Sequence, residues 1–452
     1  MGPILPPLIA IALAFITRQV HLSLFAGILS AAYLLDGSAL AAPALATEQV
    51  IDVFRDPSNT RVVIFCVLIG GFLALVQANG GVRGFAQWIE RSSRLKTRRS
   101  AEVFVFFTGC VVFIESTITI FVAGSIGRPL FERMKLAREK LAYYCDSTSA
   151  PICMLFPLNA WGVFVLGLLA EEEEPLRLFV SALPLAFYPI LALAIALIVA
   201  IVGIDLGPMR EATERARLAP IEEKLAADSP DEAGSARRFW IPLALMVALV
   251  PIGLFLTGGG NFFEGEGSAA VLYAVLGGSL AAALFHILGA GARINETIEL
   301  FFEGSSKFFS LGALMALAFA FGDISRAIGT GPLIASMVSE SMPPGLTVML
   351  VFIAASLVAF ATGTSWGTMA LTIPLALPLA HALGLPPALL LGAALSGSVF
   401  GDHASPISDT TIVSALASGC TPMDHVKTQL PYALIGASVA ALMYGIAGAV
   451  AA

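Results

Sequence analysis

The stretch RSSRLKTRRSAEVFVFFTGCVVFIESTITIFVAGSIGRPLFERMKLAREK, Arg91 to Lys140, decides the topology of the chain. Basic residues crowd both of its ends: Arg91, Arg94, Lys96, Arg98 and Arg99 before the apolar run, Arg128, Arg133, Lys135, Arg138 and Lys140 after it. Short loops rich in Lys and Arg stay on the cytoplasmic side of a membrane. Only one apolar stretch, Val103 to Ile126, separates them, and a single crossing cannot leave both of its ends on one side. The pattern predicts a re-entrant hairpin, about 103-126, that enters from the cytoplasm and turns near Glu115, Ser116 and Thr117. Polar backbone at that depth is tolerated only where protein buries it or a water-filled cavity lines it, so the tip is a site candidate. The bland alternative is an ordinary span with an unusual charge balance.

Composition sets the same environment for the rest of the chain. Of its 452 residues 57% are hydrophobic and 13% charged, with a mean hydropathy of +0.87. A soluble domain carries roughly 25% charged residues. Apolar stretches of the length that crosses a bilayer, about 20 residues, recur at Arg61 to Gln77, Leu178 to Ile204, Ile241 to Thr257 and Leu430 to Val450. The expectation is an all-α polytopic membrane protein. No basic run suits nucleic acid, and no GxxxxGK[ST] loop is present for a nucleotide. Cys66, Cys110, Cys145, Cys153 and Cys420 lack metal-ligand spacing and are read as small core residues. Ala44-Leu45-Ala46 has the form of a cleavage site, but no positive n-region precedes Ile4 and two apolar segments lie upstream, so no cleaved signal is expected.

An internal repeat recurs at a constant offset of 247 residues. Ile51, Asp52, Phe54 and Ser58 return as Ile298, Glu299, Phe301 and Ser305; Phe72 returns as Phe319, Gly84 as Gly331, Phe113 as Phe360 and Thr117 as Thr364. The copies end on Asp146-Ser-Thr-Ser-Ala-Pro151 and Asp402-His-Ala-Ser-Pro406. Acidic loops at Asp36 to Asp56 and Glu171 to Glu174 fall outside, while Arg18 and Gly207 to Arg238 fall inside. Each half then has five crossings, one of them a broken helix, and one re-entrant hairpin, and the odd number of crossings inverts the second half. The expected layout is an N-terminal repeat, 1-204, with its hairpin about 103-126 and broken helix about 141-170. A solvated cytoplasmic linker, 205-238, leads to a C-terminal inverted repeat, 239-452, with its hairpin about 347-380 and broken helix about 388-419.

Four polar stretches interrupt the apolar segments: Glu115 to Thr119, Asp146 to Ser149, Thr362 to Thr368 and Gly401 to Thr411. Ionisable groups inside a membrane are costly and mark function by default. Pro151 follows Asp146, and Pro406 follows Asp402; each proline removes a donor and frees carbonyls beside a carboxylate. Small hydroxyls complete an oxygen-ligand set suited to a hard cation such as Na+. Asp146 and Asp402 carry most weight, because an aspartate in hydrocarbon needs a reason. Glu115 is the third candidate, or else neutralises a basic residue at the mouth of its hairpin; Asp409 is a ligand or a helix N-cap. A single Ser or Thr is read first as a partner of the local backbone. His403 is an orienting neighbour, and Asn159 and Trp161 are packing or gate residues. The chemistry needs no cofactor and no enzyme activity: a carboxylate that holds either a proton or Na+, facing alternate sides, exchanges one for the other.

The strings FATGTSWGTMALTIPLALPLA (Phe360 to Ala380), SGSVFGDHASPISDTTIVSALASG (Ser396 to Gly419) and CDSTSAPICMLFPLNAWG (Cys145 to Gly162) resemble the NhaC-type sodium/proton antiporters of the ion transporter superfamily. The resemblance covers nearly the whole chain and is sharpest in the last hundred residues. It implies a multi-pass protein of a bacterial inner membrane, a homodimer in which hairpins and broken helices move as an elevator against a scaffold. Carried over by position, the implied ion and proton site falls on Asp146, Ser147, Thr148, Thr364, Ser365, Asp402, Ser405 and Asp409, with Na+ at Asp146, Thr364, Ser365, Asp402 and Ser405. Glu115 joins from the residue reading, with Ser116, Thr117, Ser149, Asn159, His403 and Ser408 in support. Na+ and H+ are the expected partners, besides the lipid bilayer. Family members that exchange malate and lactate supply the alternative, a coupled transporter of a small organic anion, although none of the four polar stretches holds an Arg or Lys to balance one.

Overall fold

The computed structural model describes residues 2–81, 84, 97–113, 115–157, 159–218, 235–261, 265–330, 333 and 342–451. Arg91, Arg94, Lys96, Gly331 and the middle of the expected linker lie outside them. Among the described residues every regular element is a helix. The first half comprises α1 (Leu5–Thr17), α2 (Val20–Asp36), α3 (Ala42–Val53), α4 (Pro57–Ala78), α5 (Arg98–Val111), α6 (Ser116–Arg133), α7 (Arg138–Ser147), α8 (Ala150–Leu155), α9 (Ala160–Leu168), α10 (Pro175–Ala182) and α11 (Phe187–Val202). After α12 (Pro208–Leu218), the second half comprises α13 (Arg237–Thr257), α14 (Gly267–Leu284), α15 (Ile294–Lys307), α16 (Phe309–Ala327), α17 (Pro344–Thr362), α18 (Ser365–Leu383), α19 (Pro387–Ala404), α20 (Asp409–Ser418) and α21 (Pro422–Val450). Prolines open α4, α10, α17, α19 and α21, where a missing N–H costs nothing. Among the described residues seven helices are long and apolar enough to cross a membrane, and two bent pairs, α7–α8 with α9 and α10 with α11, bring the candidates to nine.

The 247-residue shift also holds for the elements. It carries Val20, the start of α2, onto Gly267, the start of α14, and Pro175, the start of α10, onto Pro422, the start of α21. The starts of α5, α6 and α7 fall within two residues of those of α17, α18 and α19. The packing is exchanged in the same sense: α2 lies on α16 as α14 lies on α4, α3 on α16 as α15 on α4, and α11 on α19 as α21 on α7. Helices α11 and α21 pack against each other and run antiparallel. Phe187 N donates to the Tyr444 hydroxyl at one end (3.2 Å) and Leu206 N to the Tyr432 hydroxyl at the other (2.8 Å).

The stretch around Glu115 folds back on itself. Arg98 Nε donates to the Met134 carbonyl at 3.0 Å across 36 residues, a separation that a continuous helix would stretch to about 54 Å. In the second half Gly363, with φ +66°, makes the corresponding turn between α17 and α18. Those arms differ from the first pair: each has 19 residues and is long and apolar enough to span by itself.

Each broken helix follows from its proline. Pro151 cannot bond the Ser147 carbonyl and its ring crowds that turn, so α7 ends at Ser147; Pro406 does the same to Asp402, and α19 ends at Ala404. Ser405, before the proline, is extended (φ −82°, ψ 130°). The two ends lie 257 residues apart rather than 247, because α19 has 18 residues against 10 in α7. The hairpin arm α5 runs parallel to α7, with Glu102 beside Tyr144 and Gly109 against Thr148; α17 runs parallel to α19, with Gly397 against Phe352 and Gly401 against the Ser356 carbonyl. A Cβ at Gly401 would collide with that carbonyl, so the close approach requires glycine. This register sets each hairpin turn beside the break of its neighbouring helix.

Two basic and acidic positions are not where loop charge suggests. Lys140, counted among the cytoplasmic loop charges, has a side chain only 2% exposed, between Glu102 Oε2 (2.9 Å) and Asp205 Oδ1 (3.0 Å). The Tyr144 hydroxyl donates to the same Glu102 oxygen at 2.8 Å. Asp205 is therefore part of a buried ion cluster and not of a solvated linker. The hydrophobic pattern misses it because one lysine stem covers itself with apolar neighbours while its head finds carboxylates.

Candidate functional site

Asp146 closes the last turn of α7 and is fully buried. Its Oδ2 accepts from Gln429 Nε2 (2.8 Å), His425 Nε2 (3.2 Å) and, more loosely, Thr411 Oγ1 (3.5 Å), while its Oδ1 has no hydrogen-bond partner among the described residues. His403 Nε2 stands 4.0 Å from the same Oδ2 and 3.3 Å from Ser147 Oγ. The Tyr188 hydroxyl, 2.7 Å from Nδ1, orients that imidazole from α11.

Asp402 is 1% exposed, and its Oδ2 accepts from Ser365 Oγ at 2.6 Å. Among the described residues its Oδ1 makes no hydrogen bond of ordinary geometry, and the Ser408 hydroxyl lies beside the carboxylate. Ser365 also reaches the Ser398 carbonyl (3.2 Å), so the hairpin turn and the broken helix meet through one hydroxyl. Asp146 and Asp402 do not share a hydrogen-bond partner. Asp146 lies beside the His403 ring and Asp402 precedes His403 in the chain, and each carboxylate has one oxygen hydrogen-bonded and one not.

The other expected residues take local roles. Glu115 is the N-cap of α6: Oε2 accepts from Ile118 N, and Oε1 from the Ser116 and Thr117 hydroxyls, each at 3.1 Å. These bonds, rather than a basic residue at the hairpin mouth, hold its carboxylate. Thr364 caps α18, accepting from Gly367 N at 3.3 Å. Ser408, not Asp409, is the N-cap of α20; Asp409 follows as the first helical residue, exposed, with Oδ1 accepting from Thr410 N at 2.8 Å. Ser405 donates to the Phe360 carbonyl (2.8 Å), Thr148 to the Tyr144 carbonyl (2.7 Å) and Ser149 to the Asp146 carbonyl (2.7 Å). Asn159 caps α9 and donates to the Phe113 and Cys153 carbonyls, both at 2.7 Å, tying the first hairpin turn to its broken helix. Trp161 packs on Trp366 across the halves, with ring centroids 4.8 Å apart.

Sequence reasoning missed His425, Gln429, Thr411 and Tyr188. The available signal was His425 and Gln429, four residues apart and so on one face of α21. Away from the breaks, a cavity of about 660 Å³ opens between the acidic turn Glu171–Glu174, α16 and α18. There Arg326 pairs with Glu171 (2.6 Å) and Asp323 (2.5 Å), and His381 with Glu172 (3.1 Å).

Residues 168–449 match the family model described as the Na+/H+ antiporter family. An uncharacterized protein of Haemophilus influenzae is 33% identical over 475 residues, spanning 98% of this chain and 90% of its own length. The malate-2H(+)/Na(+)-lactate antiporter of Bacillus subtilis is 31% identical over 139 residues, 31% of this chain and 28% of that protein. In structure, the YdaH transporter of Alcanivorax borkumensis superposes with a TM-score of 0.58 at 16% identity, over 91% of this chain and 89% of that one, a likeness of fold alone. The helical, membrane-spanning architecture and the family match agree, and the chain belongs to the Na+/H+ antiporter family.

Proposed function

We propose that this antiporter exchanges Na+ for H+ at the two helix breaks, using Asp146 and Asp402 as the exchanging carboxylates. The observation that carries the reading is the pair of open oxygens, Oδ1 of Asp146 and Oδ1 of Asp402, both buried and without a hydrogen-bond partner. A buried carboxylate oxygen left unpaired is costly. A proton or a cation removes that cost, and one excludes the other. Ser365 Oγ and the Ser147 carbonyl freed by Pro151 are oxygen donors that would complete a Na+ shell beside the carboxylates, while the Asp402 carbonyl already accepts from Ser405 N. Na+ is the cargo here, and no resident metal or cofactor enters the scheme.

Alternating access fits an elevator motion of two inverted repeats. The antiparallel run of α11 against its equivalent α21 supports this, since a two-fold axis crossing two spanning helices at right angles lies in the membrane plane. Residence in a bacterial inner membrane and assembly as a homodimer are further parts of the proposal. A second reading, exchange of a small organic anion, draws on the printed activity of the Bacillus subtilis relative. Against it, the hydrogen bonds of Asp146 and Asp402 involve no Arg or Lys, and Lys140 is taken up by Glu102 and Asp205.

The test is purified protein in liposomes holding a pH dye, challenged in turn with Na+, Li+, K+, malate and lactate. Na+ added to acid-loaded vesicles should raise internal pH with no organic solute present. Proton movement that requires malate, lactate or another organic solute would replace this reading with the second.

A further inference from the structure

Gln429 belongs to neither helix break yet bonds to both. Its Nε2 donates to Asp146 Oδ2 at 2.8 Å and to the backbone carbonyl of His403, the residue after Asp402. The His403 carbonyl has no proton to give, so the amide cannot be turned round, and its two N–H groups face the two acceptors. The price of that orientation is visible: Gln429 is 1% exposed and its Oε1 has no partner. An amide is planar and rigid, with its two hydrogens in fixed directions. A shift that follows one acceptor changes the bond to the other.

We infer that Gln429 is a positioning residue that couples the two carboxylates, so that the load on Asp146 is felt at the chain leaving Asp402. The inference rests on the exchange reading above and adds the connection between the two poles. When the Asp146 carboxylate is neutralised by its load, its pull on the Gln429 N–H weakens, because a charged acceptor makes the stronger bond. The amide then moves toward the His403 carbonyl, and the turn that carries Asp402 moves with it. His425, one turn earlier on α21, also bonds Asp146, but only there, so it orients one pole without joining the two.

The experiment compares wild type with Gln429→Leu, which keeps branching bulk and loses both donors, and with Gln429→Met, which keeps length and serves should the Leu variant fail to fold. Proteoliposomes report turnover, Na+ half-saturation and protons moved per Na+, with thermal unfolding in detergent as the control. Loss of one charge-assisted hydrogen bond predicts a fall of about tenfold to a hundredfold in coupled turnover. Na+ half-saturation should change by less than about threefold, since no ion ligand is removed. The proton-to-Na+ ratio should drop below the wild-type value, as Na+ leaks through an uncoupled site. A folded variant that keeps the wild-type ratio overturns the inference, whether its turnover is normal or merely lowered. If wild type moves protons only with an organic solute, the exchange reading fails separately, and the same variants are then scored on the ratio of that solute to its coupling ion.

Discussion

Replacing Lys140 by methionine tests whether the buried cluster of Lys140, Glu102 and Asp205 is structural. Lys140 sits 2.9 Å from Glu102 and 3.0 Å from Asp205, with side chains 2%, 4% and 14% exposed. At an effective dielectric near 20, each pair attracts by about 6 kcal/mol before desolvation is charged against it. Lys140→Met keeps the stem and deletes the charge, leaving two carboxylates facing one another with the Tyr144 hydroxyl as the remaining donor to Glu102. Removing one partner of a buried pair costs about 3–5 kcal/mol. Glu102→Gln should cost less, about 1–3 kcal/mol, because Lys140 keeps Asp205. The double variant should be more stable than the sum of the two losses, with a coupling of about 0.5–3 kcal/mol. The assay is reversible denaturant unfolding in mixed micelles, run on wild type and all three variants. A Lys140→Met loss of under about 1 kcal/mol, the value of an exposed pair, would refute the reasoning, as would additive single losses.

Asp402→Asn removes the charge at constant size and should abolish Na+-driven alkalinisation of vesicles while the protein still folds; wild-type exchange by that variant would move the search to Glu115 and Asp409. Asp146→Asn should impair exchange severely and change its pH profile, measured as initial rates across pH, because one of two exchanging groups is gone. Cysteines placed at Thr97 and Lys135 in a thiol-free background should be labelled from the same face, since Arg98 and Met134 at the hairpin ends touch; labelling from opposite faces would remove the hairpin. Gly401→Ala drives a methyl into the Ser356 carbonyl and should lower stability by about 1–3 kcal/mol in a thermal melt.

The sequence by itself determined what depends on neighbours a few residues apart. Apolar length announced the membrane, prolines 151 and 406 announced the two breaks, and the charges around residues 91 to 140 announced that the chain folds back near Glu115. The aspartates at the breaks were legible for the same reason, as charges in a segment that offers water no access. The 247-residue offset is visible in the sequence, and several element starts follow it, that of α21 included, although the longer α19 sets the two helix breaks 257 residues apart. Tertiary structure alone decided which polar groups meet. Gln429 and His425 reach Asp146 across 283 and 279 residues, and His403 reaches Ser147 across 256, so no sequence window contains either contact. It also divided the hydroxyls and carboxylates by role: Thr364, Ser408, Glu115 and Asn159 spend their oxygens capping helix ends, while Ser365 points across to Asp402. A cap and a ligand have the same composition and the same local sequence. What separates them is whether the side chain turns back to its own orphan N–H groups or out toward another element, and that is fixed only when the helices pack.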